Sequence, residues 1–374
     1  MPNYGELKRR AIGILEEGGE IYINDASDGR VKEAIRTVIS TEQYKEGMSF
    51  YEWEKAEKRL YYAMRGYDVI EELMEDEEVS EIMINGMESI FYEKNGVIRK
   101  FSENFESEDD LYLMIERIVS KHNRKVNLKE PIVDTKCPDG SRVHVVLPPV
   151  SVTGPVVTIR KFLNKARTLN DLIACNGISE AAAGFLKNAI RDRKTILISG
   201  GTSSGKTTLL NALIDEIDEG ERIITIEDSA ELKLDGRENA ISLECRNKTA
   251  EGVSDITLRD LIKASLRMRP DRIIVGEVRG AEALDLMQAL NTGHEGSLCT
   301  LHANSCKDAI LRLKILMLMG MELPMDAILS QIVAGIDYIV QMKRDSCGKR
   351  EVSEIIKLCR VENGEIISEK IDIS

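Results

Sequence analysis

Long apolar runs are missing from this chain. Nowhere in its 374 residues does a stretch approach the ~18–20 apolar residues that a membrane span requires. Residues 1–20 are polar and charged, without the apolar core of a secretory signal. The seven cysteines are an odd number and include no C-x-x-C pair, which argues for reduced thiols and against a disulfide framework. Cys299, His302 and Cys306 form the tightest cluster, and it lacks a fourth ligand at zinc-site spacing. An excess of basic residues is missing too. The formal charge of -13 repels a phosphate backbone over most of the surface, which disfavours nucleic acid as a partner. These absences leave a cytoplasmic globular protein as the expectation, and 43% hydrophobic residues suffice for two or three domains with their own cores.

The sequence does contain a complete G-x-x-x-x-G-K-[ST] loop: Gly200, Gly201, Thr202, Ser203, Ser204, Gly205, Lys206 and Thr207, followed by Thr208. Thr195 to Ser199 reads as a buried β-branched strand, and Thr208 to Ile214 as a helix. A strand entering a glycine-rich loop and then a helix aims several backbone N–H groups at one point, where the helix dipole also favours an anion. Gly200 and Gly205 permit the turn and the close approach. Lys206 is placed to reach the β- and γ-phosphates of a nucleoside triphosphate, and Thr207 to hold Mg²⁺.

Around this loop the chain divides by texture. Residues 1–78 read as a helical N-terminal extension, helical in character from 31 to 78, with apolar positions such as Ile35, Val38 and Ile39 on one face and an acidic run from Glu71 to Glu78 that reads as a solvated helix end or linker. Residues 79–165 carry short β patterns, a turn at Asn95-Gly96, and a helix capped by Ser107 with Asp110 and running to His122. This is a small α/β domain. Lys161 to Asn170 reads as a linker, with Thr168 and Asp171 capping the next helix. Residues 166–374 alternate strand and helix as a parallel α/β sheet does, with strands expected at 195–199, 222–226, 272–275 and 297–301 and later ones at 336–340 and 351–358.

A phosphate loop alone is shared by kinases, GTPases, transporters and motors. Arg272 to Gly276 is an apolar strand ending at Glu277, a carboxylate that a parallel sheet sets beside the loop, where it can order Mg²⁺ or its water shell. Glu227, Asp228 and Glu231 follow a second such strand and emerge at the same edge, where one of them can polarise an attacking water. His294 and His302 bracket a short strand expected beside the nucleotide, which suits a sensor of phosphate state. No L-S-G-G-Q signature is present. The nearest approach to a guanine-reading N-K-x-D is Asn247-Lys248-Thr249-Ala250, which lacks the Asp, so ATP is the expected nucleotide.

Taken together, the loop, Glu227 to Leu232, the segment from Arg267 to Gly280 and Ala-Leu-Asn-Thr-Gly-His-Glu-Gly-Ser from Ala289 resemble the secretion-system and pilus-assembly ATPase superfamily over Val79 to Ile356. They correspond to its Walker A, Asp, Walker B and His boxes. Ser80 to Gly86, Pro138 to Val143, Thr158 to Phe162 and the segment from Ile336 are most similar to CpaF/TadA-like ATPases of the Tad pilus. The resemblance implies an α/β architecture in which a small, PAS-like domain precedes a RecA-like ATPase domain. It further implies a homohexamer that hydrolyses ATP and works inner-membrane platform proteins. Carried over, Lys206 and Thr207 bind phosphate and Mg²⁺, Asp228 and Glu277 complete the metal's surroundings, and His294 and His302 form the His box. Arg142 and Arg160 match arginines directed at the phosphates from the small domain. Which of Glu227, Glu231 or Glu277 activates water is open; Arg267, Arg269 and Arg279 are further candidates. The tetracysteine site of type II secretion and type IVa extension ATPases has no counterpart in Cys299, Cys306, Cys347 and Cys359. A type IV conjugation or secretion ATPase, and a nucleic-acid translocase, stand as rival readings.

Overall fold

The computed structural model describes residues 4–18, 26–41, 49–121, 126–161, 168–246, 254–345 and 348–373. His122, Asn247 to Ala250, Cys347 and most of the expected linker, 162–167, lie outside the described residues. The chain forms two compact units, Met1–Asn164 and Lys165–Ser374.

The first unit begins with α1 (Tyr4–Glu17), α2 (Asp28–Ile39) and α3 (Phe50–Arg65). Ser27 caps α2, and a Ser49/Glu52 capping box starts α3. Their apolar faces meet at Leu7, Ala11, Val31, Ile35, Leu60 and Met64. A short turn and α4 (Glu71–Glu75) lead into the sheet. Its strands are β1 (Val79–Asn85), β2 (Ile90–Lys94) and β3 (Val97–Lys100), then, after α5 (Glu108–Ser120), β4 (Ile132–Lys136), β5 (Arg142–Val146) and β6 (Val156–Arg160). The order is β3-β2-β1-β6-β5-β4, antiparallel throughout. Asn95 and Gly96 both have positive φ in the β2–β3 turn, the demand that makes Asn-Gly a hairpin signal. Alternation puts Val143, Val145, Val157 and Ile159 on the face that packs with Leu111, Met114 and Ile115 of α5. Lys8 of α1 bonds Asp110 of α5, so the helices and the sheet share one unit.

The second unit runs α6 (Leu169–Ala174), α7 (Glu180–Arg191), β7 (Ile196–Gly200), α8 (Lys206–Ile214), β8 (Ile223–Glu227), β9 (Ala240–Glu244), α9 (Leu258–Ser265), β10 (Arg272–Val278), α10 (Glu282–Leu290), β11 (Leu298–His302), α11 (Cys306–Gly320), α12 (Met325–Gly335), β12 (Tyr338–Arg344), β13 (Arg350–Glu362) and β14 (Glu365–Lys370). Thr168 and Asp171 form a capping box at α6, as their spacing predicts. The sheet order is β14-β13-β12-β7-β11-β10-β8-β9. Pairing is parallel from β12 to β9 and antiparallel along β12-β13-β14. β7 and β8 are buried at every residue, because helices cover both faces. Leu197, Ile224 and Val275 join a core with α10, α11 and α12, while Ile196, Ile198 and Ile274 join another with α7 and α8. β9 and β14 were not among the expected strands; both are edge strands of mixed polarity, where only one side is buried or neither. Among the described residues no single helix is long and apolar enough to cross a membrane.

The amino edge of this sheet is held by Arg272, 1% exposed. Its guanidinium donates to both carboxylate oxygens of Glu221, at 2.8 and 2.6 Å, and to the carbonyls of Gly296 and Ile190. A buried charge this fully bonded is costly to break because the partner is left uncompensated. Arg272→Leu is expected to lower the unfolding free energy by about 3–5 kcal/mol; urea melts of the two proteins at pH 7 check this, and equal midpoints would refute it.

Candidate nucleotide-binding site

β7 delivers the chain at Gly200 to a loop that turns at Ser203 (φ 55°) and Gly205 (φ 97°) before α8 begins. A Cβ on Gly200 would stand 2.4 Å from Ser204 Oγ and 2.8 Å from the Met342 carbonyl, so the close approach of β12 requires glycine there. No side chain caps the start of α8. The first N–H groups of a helix have no intrahelical partner, the arrangement that receives an anion. Lys206, 7% exposed, curls back over this interior: Nζ donates to the carbonyls of Gly200 (3.0 Å) and Gly201 (2.9 Å) and stands 3.2 Å from His302 Nδ1. Gly201, Thr202, Ser203 and Ser204 complete the loop, while Thr207 and Thr208 lie half-buried in the first turn of α8.

β11 lies between β7 and β10, with His302 paired to Gly200 and Leu301 to Val278. That register brings His302 between Lys206 and Glu277: His302 Nε2 is 2.9 Å from Glu277 Oε1, at ion-pair distance but outside hydrogen-bond geometry. Arg279 Nη2 donates to Glu277 Oε2 at 2.7 Å, and its Nη1 is 3.4 Å from Asp228 Oδ2. Lysine, histidine, glutamate and arginine thus form one chain of contacts along the carboxyl ends of three strands.

Burial opposes ionisation of Glu277, but the Arg279 hydrogen bond and the charges of Arg279, His302 and Lys206 outweigh it and hold the carboxyl below its usual range. His302 is also pushed below its usual value, first by burial, then by the Lys206 ammonium, with Glu277 acting in the opposite sense. At neutral pH the imidazole is therefore uncharged. Since Lys206 can only donate, Nδ1 accepts and Nε2 carries the proton that faces Glu277.

The other expected site residues fall differently. Glu227 is 3% exposed, and its carboxylate accepts from the backbone N–H groups of Glu231 and Leu232. It braces the turn that carries half-buried Glu231. Gly276 makes room for it, since a Cβ there would come within 2.9 Å of Glu227 Cγ. His294 corrects the expectation of two histidines beside the loop: it precedes β11 and so stands at the opposite end of a five-residue strand, roughly 16 Å long at 3.3 Å per residue. Its Nδ1 is 3.0 Å from the Ala289 carbonyl at the end of α10. Arg267 and Arg269 precede β10 at that same far edge, so of the three later arginines Arg279 joins the site. Cys299 is in the core and Cys306 Sγ is directed to the Ile339 carbonyl. Arg142 and Arg160 belong to the first unit, where they are direct partners on β5 and β6.

Two features fit this edge to a triphosphate with a divalent cation. The cradle around Gly200 has no room for a Cβ, and Ser204 Oγ and Glu277 Oε1 are buried without a hydrogen bond. Such groups call for a ligand, ion or water. The sequence pattern of the family described as type II/IV secretion system protein matches residues 64–366. The chain belongs to that family. Among curated relatives, the probable conjugal transfer protein TrbB of Sinorhizobium fredii is 36% identical over 296 residues, 78% of this chain and 86% of that protein. The type IV secretion system protein PtlH of Bordetella pertussis is 32% identical over 293 residues, 72% of this chain and 86% of that one. The solved structure of the Legionella pneumophila ATPase DotB superposes with a TM-score of 0.57 at 22% identity, covering 77% of this chain and 79% of that one. The pilus retraction motor PilT with bound ADP gives 0.54 at 22% identity over 81% of each chain. These two likenesses speak for the fold.

In this type II/IV secretion system protein, several residues of the site carry no local sequence signal. Asn211 of α8 ties down the box turn, donating to the Glu231 carbonyl and accepting from Lys233 N. Thr300 Oγ1 donates to the Gly276 carbonyl at 2.6 Å. Arg350 reaches the loop from β13, its Nε donating to the Ser203 carbonyl at 2.9 Å.

The depressed His302 and Glu277 values set the sign of a pH effect. A group whose folded pKa lies below its unfolded one stabilises the fold above the unfolded pKa, and that contribution is lost as pH falls toward the folded value. For His302 the loss begins near pH 6.5, and for Glu277 near 4.5. Between pH 7.5 and 5.5, wild type is expected to lose more stability than His302→Gln; equal losses in urea melts at the two pH values would remove His302 as the titrating group.

Proposed function

We propose that this chain is an ATP-hydrolysing motor subunit of a secretion or pilus-assembly system, working as a homohexamer on inner-membrane platform proteins. The observation that carries the reading is the contact chain from Lys206 through His302 to Glu277, which joins a phosphate loop to a catalytic carboxylate on neighbouring strand ends. The order of the second sheet, with its loop at the end of a central parallel strand, supports a RecA-like domain, and the six-stranded sheet with α5 supports a PAS-like one.

The backbone N–H groups of 201–206 and the Lys206 ammonium would hold the β- and γ-phosphates, and Thr207, Glu277 and Asp228 would surround Mg²⁺. Bound Mg²⁺ supplies charge neutralisation at the transferring phosphoryl group. Lys206 turns from the Gly200 and Gly201 carbonyls and His302 to the phosphates. Glu277, ionised and steadied by Arg279, accepts a hydrogen bond from the attacking water and orients it for in-line displacement. His302, released by Lys206 yet still facing Glu277, reports phosphate state to the carboxylate. Arg142 and Arg160 are proposed to stabilise the spread charge, as planar cations do.

For the machine served, the Tad-pilus boxes of the sequence support pilus assembly. The conjugal-transfer and type IV secretion names of the curated relatives favour a type IV secretion or conjugation system. Both use the same engine.

Lys206→Ala is expected to abolish tight nucleotide binding, whereas Glu277→Gln keeps binding and loses at least about a hundredfold in turnover. Titration with a fluorescent ATP analogue and a phosphate-release assay separate the two, and wild-type turnover in Glu277→Gln would refute the catalytic role. Arg160→Ala is expected to impair turnover more than binding. If it acts on a neighbouring subunit, mixing it with Lys206→Ala restores part of the activity, and no recovery at any ratio counts against that.

A further inference from the structure

We infer that Arg350 is a positioning residue for the nucleotide, holding the phosphate loop in its binding shape from a strand 147 positions further along the chain. This rests on the nucleotide-binding reading above. Ser203 is the loop's one non-glycine residue with positive φ, 55°, a conformation that persists only where the surroundings enforce it. The enforcing contact is the 2.9 Å hydrogen bond from Arg350 Nε to the Ser203 carbonyl. A carbonyl anchored outward leaves the neighbouring N–H groups directed into the loop, where the phosphates bind.

The rest of Arg350 closes the same wall. Its Cδ and Cβ lie 3.6 and 3.8 Å from the position a Cβ on Gly205 would take, beside Met342 Cε at 3.4 Å. The arginine's backbone is fixed in turn: Arg350 pairs with Arg344 at the end of the β12–β13 ladder, and, two residues on, Val352 N donates to the Gly177 carbonyl at 2.9 Å. β12 itself pairs with β7 up to Gly200. The β12–β13 ladder therefore grips the loop at two points, Met342 on Gly200 and Arg350 on Ser203. Neither β13 nor Arg350 belongs to the strand that carries Glu277, so loss of the contact acts on binding and leaves Glu277 in place.

The test is titration of the full chain with a fluorescent ATP analogue and Mg²⁺, beside steady-state turnover at saturating ATP. Arg350→Met is expected to weaken binding about tenfold while saturated turnover stays within about threefold of wild type. Adding Ser203→Gly, which removes the conformational penalty, is expected to restore most of the lost affinity. Wild-type affinity in Arg350→Met overturns the proposal, and so does failure of Ser203→Gly to restore it, because a direct contact of Arg350 with nucleotide would not be rescued that way. If Arg350→Met does not fold, Arg350→Lys replaces it: weaker binding at an unchanged melting temperature upholds the role, and unchanged affinity overturns it. Absence of binding by the wild-type chain sinks the nucleotide reading itself, a result distinct from any of these.

Discussion

The site depends on the register of one strand. β11 inserts between β7 and β10 with His302 opposite Gly200, so the imidazole stands where the phosphate loop and the β10 carboxylate both reach it. Side chains alternate faces along a strand, and a slip of one residue would turn His302 away from both. Burial of Leu298, Cys299 and Leu301 enforces that register, since the same slip would exchange their core contacts. The arrangement of Lys206, His302 and Glu277 is thus maintained by apolar packing of the strand's other residues.

Electrostatics makes the arrangement stable without ligand. A buried ammonium and a partly buried carboxylate each demand compensation. Lys206 finds it in two loop carbonyls and His302, and Glu277 in Arg279 with His302 nearby. The neutral imidazole between them lets a lysine and a glutamate share one edge without collapsing into a direct pair. On the proposed reading, Lys206 exchanges these partners for phosphate while Arg279 keeps Glu277 in place.

The two edges of the second sheet are built for different ends. At the amino edge, Arg272 is fully matched by Glu221 and carbonyls, and His294 closes α10. At the carboxyl edge, Ser204 Oγ and Glu277 Oε1 are buried and unsatisfied. Full polar matching thus marks Arg272 at the amino edge, and unmatched polar atoms mark the carboxyl edge, outside which ligands bind in open parallel sheets.

Much of this was legible in the residues. Periodicity placed β7, β8, β10 and β11 within a residue or so at their starts, because strands buried on both faces read as unbroken β-branched runs; the polar edge strands β9 and β14 carry no such signal. The loop fixed Lys206 and Thr207 by local spacing alone. Only tertiary structure shows where the carboxylates and histidines stand. Glu227 and Glu277 look equivalent as acids ending apolar strands, yet one accepts from the backbone of its own turn and the other stands beside His302 and Arg279. His294 and His302 are near in sequence and lie at opposite ends of a strand. Arg350 was invisible, since a contact across 147 positions depends on strand order, and strand order is set by packing over the whole sheet rather than by any local run of residues.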